Sequence, residues 1–227
     1  MLYSVDHVKD NIRNLEGRRV FYLGRGDQLT SSARDYLRQH RIEILPARQA
    51  KPKEYRLLEG GTLPEKPEHM THLDAQTLVP KDHPRIVFRG KLDTLESELI
   101  LCQLAVPELA QPLGQILGLA RKIMACDVLA EPLSVSPLCG MDEGEQRKRS
   151  HFPQQYYGQP HFMPEHTDGE VIARLNRLRS ITRETEVAAV AAFQDGEGKP
   201  SRPDILQAMN RMSSVLYLMM IEQKAKL

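Results

Sequence analysis

From Leu92 to Met220, apolar residues return at intervals of three and four, and this helical period constrains the fold more than any other property of the chain. Leu92, Leu95, Leu99 and Cys102 set the first stripe, after Gly90 and before Pro107, with Lys91 or Asp93 near its start. A second helix is predicted from about Pro112 to Leu129, where Leu113, Ile116, Leu117, Ala120, Ile123, Met124 and Asp127 recur before Pro132 stops it. The last two are the clearest. One runs from about Asp168 to Phe193 on Ile172, Leu175, Leu178, Ile181, Val187, Ala188 and Ala191, and Gly196 and Gly198 break it. The other takes Ser201 as N-cap, Pro203 in its first turn and Asp204 three residues after the cap, and carries Leu206, Met209, Met212, Val215, Leu216, Met219 and Met220. Helices of this length joined by modest loops pack as a bundle.

Upstream the pattern is mixed. Val20-Phe21-Tyr22-Leu23 reads as a strand, Thr30 caps a helix through Tyr36 and Leu37, and Ile42-Glu43-Ile44-Leu45 alternates as a short strand. Residues 46–67 are rich in Pro, Gly, Lys and Glu, including Lys51-Pro52-Lys53-Glu54 and Gly60-Gly61, and read as an ordered loop or linker. The expected architecture is therefore an all-α bundle of about five helices over residues 68–227, with a small α/β appendage and linker over residues 1–67. Between the bundle helices lie a charge-dense stretch, residues 142–149, and an aromatic, proline-rich connection containing Tyr156, Tyr157, Phe162 and Pro164. Such a connection often frames a site.

With 41% hydrophobic and 27% charged residues among 227, the chain can bury a core, so wholesale disorder is excluded. Thirty-one Lys and Arg against thirty Asp and Glu leave a formal charge of +1, which argues against a strongly basic nucleic-acid binder. There is no run of about 18 apolar residues and no apolar signal core at Met1 to His7, so a cytoplasmic protein without membrane or nucleic-acid partners is expected. Cys102, Cys126 and Cys139 fit neither a disulfide framework nor a thiolate zinc site.

Several groups could carry chemistry. Arg179, Arg183 and Glu186 stand at i, i+4 and i+7 of one predicted helix; two guanidinium forks beside a carboxylate suit a polyphosphate with its magnesium, or equally a solvated helix face. Asn210, Ser214 and Tyr217 form a polar stripe on the last helix, fit for a ribose or for interhelical hydrogen bonds. Asp93 suits a helix start or an arginine partner. His69, His72 and His83 are crowded, but their spacing fits no compact metal motif. Gly24-Arg25-Gly26-Asp27 lacks the Gly-Lys-Ser/Thr of a phosphate-binding P-loop.

Three motifs, in order, resemble the ATP:corrinoid adenosyltransferases of the propanediol-utilisation type. Residues 80–97, Pro-Lys-Asp-His-Pro-Arg-Ile-Val-Phe-Arg-Gly-Lys-Leu-Asp-Thr-Leu-Glu-Ser, are similar to that family's Lys-Asp-Asp-Pro-Arg-Val and Tyr-Gly-Thr-Leu-Asp-Glu-Leu-Asn-Ser. Leu178 to Glu186 resembles Ala-Arg-Thr-Val-Cys-Arg-Arg-Ala-Glu, and Met209 to Ser214 resembles Leu-Asn-Arg-Leu-Ser-Asp. The ethanolamine-utilisation branch is nearer, through Thr71-His72-Leu73, Lys122-Ile123-Met124, Glu131-Pro132-Leu133 and above all the run from Arg202 to Ser214. The resemblance covers about residues 68–223.

The resemblance implies a helical, homo-oligomeric enzyme that transfers the 5′-deoxyadenosyl group of ATP to the cobalt of reduced cobalamin, supplying ethanolamine ammonia-lyase, with a microcompartment association left open. It places Lys81, Arg183, Glu186 and Asn210 on ATP-contacting positions, with magnesium carried by ATP near Glu186. Asp93 and Arg179 fall on a pair that bridges subunits beside the nucleotide, and with Arg183 they are the implied catalytic residues. Phe162 falls near the loop whose apolar side chain displaces the lower axial ligand of cobalt, or simply anchors that loop. The family's Gly-rich phosphate loop is replaced here by residues 70–77, leaving Thr71 and His72 as candidate phosphate contacts. Some branch members carry a His and a Cys-Cys-x-x-Cys cluster just upstream; residues 55–67 hold no cysteine, so no structural iron or zinc is expected. Glu184 and Ser214 replace the family's second Arg and its Asp. A non-catalytic corrinoid or nucleotide carrier of the same fold is the alternative.

Overall fold

The computed structural model describes residues 1–15, 17–47 and 54–227, and the chain divides into two compact units, Met1–Glu54 and Tyr55–Leu227. The first unit contains, in order, β1 (Leu2–Tyr3), α1 (Val5–Asp10), β2 (Arg13–Leu15), β3 (Arg18–Leu23), β4 (Gln28–Leu29), α2 (Ser31–Gln39) and β5 (Glu43–Pro46). β3 pairs antiparallel with β2 and parallel with β5, and β1 pairs with β4 in a separate two-stranded sheet. Thr30 caps α2 as expected, its side chain accepting from the Ala33 N–H at 3.2 Å. Val8, Phe21, Leu29, Ala33, Leu37 and Ile42 fill a small core.

The second unit opens with β6 (Tyr55–Leu57), β7 (Thr62–Leu63), β8 (Met70–His72) and β9 (Thr77–Pro80), a sheet in the order β7-β6-β9-β8. The helices follow: α3 (Pro84–Ala105), α4 (Ala110–Val128), α5 (Glu143–His151), α6 (Pro153–Tyr157), α7 (Glu170–Phe193) and α8 (Pro203–Lys224). α7 packs along both α3 and α8, and α4 closes on α3. Leu92, Leu95, Leu99, Leu113, Ile116, Leu175, Met212 and Leu216 are all fully buried between them. Phe88 meets Phe193 edge to face, ring centroids 5.3 Å apart.

This architecture corrects the expectation of an all-α bundle of about five helices with a small α/β appendage. Among the described residues there are eight α-helices and nine strands in three sheets, one sheet belonging to the helical unit itself. The strands β6 and β7 lie in the stretch read as loop or linker; residues 48–53 of that stretch, including Lys51-Pro52-Lys53, lie outside the described residues. Strands of two to four residues are too short to show a period of two, and they are specified by cross-strand pairing. α5 escaped notice because it is polar all round; a capping box of Asp142 and Glu145 starts it, and basic residues end it.

Helix boundaries moved for equally local reasons. α3 starts at Pro84 rather than after Gly90, with the His83 Nδ1 accepting from the Arg85 N–H at 3.2 Å. Burial and the adjacent Arg85 and Arg89 lower the His83 pKa, favouring the neutral ring that this cap requires. Asp93 is therefore an exposed mid-helix residue, not a helix-start residue. α8 takes Arg202 as its N-cap position, while the Ser201 hydroxyl donates back to the Phe193 carbonyl at 2.8 Å.

Asp127, at an apolar-phase position of α4, is completely buried. Its Oδ1 accepts from Arg85 Nε at 2.9 Å and its Oδ2 from Arg89 Nε at 2.6 Å. Arg85 Nη2 also donates to the Asp127 carbonyl at 2.8 Å, and Arg89 Nη2 to the Leu73 carbonyl at 2.8 Å. One carboxylate thus joins α3, α4 and the turn after β8. Removing one partner of such a cluster strands buried charge, at about 3–5 kcal/mol. Asp127→Asn is expected to lower unfolding stability by that amount in urea titration; a loss below about 1 kcal/mol would show that the carboxylate does not hold these elements together.

Candidate functional site

The face that α7 offers to solvent is decided by two threonines. Thr182 and Thr185 are fully buried, and each hydroxyl donates one turn back, to Leu178 and Ile181 carbonyls, both at 2.8 Å. Their polar atoms satisfied, their methyl groups pack in the core with Ala189 and Phe193, while Val187 is 70% exposed. The buried stripe thus departs from the apolar positions Ile181, Val187, Ala188 and Ala191. Arg179, Arg183 and Glu186 are thereby turned to the outer side of the helix.

Arg183 is exposed and makes no hydrogen bond or ion pair with a described residue. Glu186 Oε1 accepts from Asn210 Nδ2 at 3.0 Å, tying α7 to α8, and Asn210 Oδ1 accepts in turn from Arg211. The hydroxyl of Ser214 donates to the Asn210 carbonyl at 3.1 Å. Glu184 pairs with Lys91 of α3 at 3.1 Å, both well solvated. A free guanidinium, a carboxylate and a primary amide are thus displayed together on adjoining faces of α7 and α8.

One turn before Arg183, Arg179 enters a cavity of about 540 Å³ lined by Phe162, Met163, Asn176, Tyr217 and Met220 among others. Its guanidinium lies 5.2 Å from the centroid of the Tyr217 ring, over its face. Burial, and secondarily the charge of Arg183, lower the Arg179 pKa, while Tyr217 opposes the shift. Phe162, half-buried, packs against the bundle core and carries Lys224 Nζ 5.8 Å above its ring. His161 stacks parallel to Tyr217 with its Nδ1 2.8 Å from the Tyr217 Oη. Of these, Tyr217 showed in the sequence as part of a polar stripe two turns from Asn210. Asn176 stands at i−3 to Arg179, a spacing that could have flagged it. Nothing in the sequence marks His161.

The remaining candidates lie on other elements. Thr71 and His72 lie on β8, where the His72 ring tilts against Tyr55 at 5.7 Å. Lys81 Nζ is 3.8 Å from Glu68, and its backbone N–H donates to the His69 carbonyl. Asp93 has no side-chain partner among the described residues, and no bond joins it to Arg179 within the chain. His69, His72 and His83 do not converge, and among the described residues no three His, Cys, Asp or Glu side chains gather as a metal site. Among the described residues, too, no helix is long and apolar enough to cross a membrane. The three cysteines are free thiols, and burial raises the Cys139 pKa to about 11.

Near the start of α8, a second groove of about 600 Å³ is lined by Arg85, Asp127, Arg202 and Asp204. Arg202 donates to both oxygens of Asp204, from Nε at 3.0 Å and Nη2 at 2.9 Å, and the Leu133 N–H donates to Asp204 Oδ2 at 2.8 Å. Arg85, Asp127, Arg202 and Asp204 of this groove are paired with one another or with neighbouring charges.

A free arginine, a carboxylate–amide pair and a cavity that takes in Arg179 and Phe162 thus lie along α7 and α8. Residues 63–223 match the cobalamin adenosyltransferase family, and the chain belongs to it. It is 40% identical over 162 residues to the corrinoid adenosyltransferase EutT of Salmonella typhimurium, covering 71% of this chain and 61% of that protein. With the corrinoid adenosyltransferase EutT of Escherichia coli K12 it shares 40% identity over 157 residues, 69% of this chain and 59% of that one. The chain thus spans about three fifths of the length of these relatives. No solved structure matches.

The Arg202–Asp204 pair holds the Asp204 carboxyl down to about 2, chiefly through the Arg202 hydrogen bonds and then the Leu133 N–H. A carboxyl depressed in the folded state contributes stability above its unfolded value near 4, and this contribution is lost as pH falls towards about 2. Asp204→Asn is therefore expected to lower stability by about 2 kcal/mol at pH 7. The gap between variant and wild type should shrink towards nothing between pH 4 and pH 2 in paired denaturation curves. A gap that does not narrow would show that another group carries the effect.

Proposed function

We propose that this chain transfers the 5′-deoxyadenosyl group from ATP to the cobalt of reduced cobalamin, and that the adenosylcobalamin formed serves an ethanolamine ammonia-lyase. The observation that carries the reading is the placement of unpaired Arg183 beside the Glu186–Asn210 pair, one turn from the cavity that holds Arg179 and Phe162. The family to which the chain belongs and the names of its relatives support the same reading.

In the reaction reduced cobalt attacks the 5′ carbon, the carbon–cobalt bond forms, and the C5′–O bond breaks with its electrons leaving on the polyphosphate. No protein nucleophile is needed, so catalysis rests on alignment and charge. Arg183, and Lys81 from the loop before α3, stabilise the departing polyphosphate; Thr71 and His72 contact it from β8. Asn210 supplies donor and acceptor to the ribose. Magnesium would arrive with ATP, and Glu186 is the carboxylate that would hold it. Asp93 and Arg179, unpaired with each other within the chain, pair between copies of a homo-oligomer and complete the nucleotide site there. Phe162 supplies the apolar surface against which the lower face of the corrin loses its axial ligand. Since residues 55–67 contain no cysteine, activity needs no protein-held iron or zinc.

The test is anaerobic adenosylcobalamin formation, followed spectroscopically with cobalamin, strong reductant, magnesium and ATP. Wild type is expected to turn over many times, and Arg183→Ala to lose about 10²–10³ in kcat. Chelation of transition metals with magnesium restored is expected to leave the rate unchanged. Stoichiometric binding without turnover would establish a carrier instead, and a rate restored by iron or zinc would overturn the metal-free reading.

A further inference from the structure

The loop that carries Phe162 is held to α8 from one side by Lys224, which pairs with Asp168 and lies over the Phe162 ring. The other attachment is His161, whose two ring nitrogens each face a hydrogen-bond partner. His161 Nε2 lies 3.3 Å from the His151 carbonyl, which can only accept, so Nε2 carries the proton. In the neutral ring Nδ1 is then an acceptor, and the partner at 2.8 Å, the Tyr217 hydroxyl, must donate to it. The Tyr217 ring lies parallel to the imidazole of His161 and carries the guanidinium of Arg179 over its face.

We infer that His161 is a positioning residue for adenosyl transfer: as the Nε2–H tautomer it accepts from the Tyr217 hydroxyl, which ties to α8 the loop on which the next residue, Phe162, stands, and so sets the height of the Phe162 ring in the cavity. The inference rests on the proposed function, in which that ring meets the lower corrin face. His161 touches neither cobalt nor ATP; it acts through Tyr217. A ring displaced by a fraction of an ångström would leave the cobalt ligand in place without altering ATP affinity.

Two measurements test this. Long-range proton–nitrogen NMR of the ¹⁵N-labelled, ligand-free protein should show His161 protonated at Nε2 with Nδ1 as acceptor, and Tyr217→Phe should shift the Phe162 amide. A His161 protonated at Nδ1, or freely exchanging tautomers, overturns the inference whatever the activity. In the assay, His161→Leu is expected to lower kcat about tenfold with the KM for ATP unchanged. The same variant should reduce the share of bound cobalt(II) corrinoid that has lost its lower ligand, read by EPR. His161→Asn, which keeps an acceptor close to the Nδ1 position, should recover most of both. Wild-type turnover with an unaffected His161→Leu overturns the inference alone; a wild type that forms no adenosylcobalamin overturns the functional reading and the inference with it. Should His161→Leu fail to fold, Tyr217→Phe, which deletes the hydroxyl alone, must reproduce the lost EPR signal or the inference falls.

Discussion

The helical unit depends on one buried carboxylate. Asp127 has no exposed surface, and a lone anion there would be driven to neutralise. Two guanidinium groups pair with it, and each also bonds to backbone elsewhere. Arg85 binds the end of α4, and Arg89 reaches the carbonyls that follow β8. Buried ion pairs add little net stability over apolar packing, but they are intolerant of misalignment. Here that intolerance sets the register of α3 against α4 and brings the β8–β9 sheet, with Thr71 and His72, to the N-terminal end of α3. Lys81 and His83 lie in the link between sheet and helix, so their positions follow from the same junction.

From that junction the site extends along α7. Packing of α7 between α3 and α8 demands small side chains on two faces, and Thr182 and Thr185 meet the demand by bonding their hydroxyls within the helix. With the threonines inward, the arginines and Glu186 must face out, and Glu186 meets Asn210 across the groove to α8. The cation–π contact of Arg179 with Tyr217 then places a half-buried positive charge in a cavity lined by polar and apolar side chains alike. Desolvation strengthens any later contact with phosphate or carboxylate, because the water that would screen it is already displaced. In a separate groove of similar size, Arg202 and Asp204 are already bonded to each other, which leaves them less able to bind a ligand than the unpaired Arg183.

The sequence by itself determined the four long helices, through their 3.6-residue period, the strands around Val20 and Ile44, the Thr30 cap and the residues of three motifs. These signals are local, and local chemistry suffices to read them. Tertiary structure alone decided the rest. Short strands such as β6 and β7 exist because partners complete their hydrogen bonds, and no window of two or three residues can reveal a partner. Asp127 sat in an apolar register whose only distinguishing feature, two arginines some forty residues upstream, becomes an ion-pair cluster when α3 and α4 meet. The inward turn of Thr182 and outward turn of Val187 reverse hydropathy because packing volume outweighs polarity once a hydroxyl is internally bonded. His161 gained its place beside Tyr217, 56 positions away, from the path of a loop, which depends on what the loop packs against and not on its own composition.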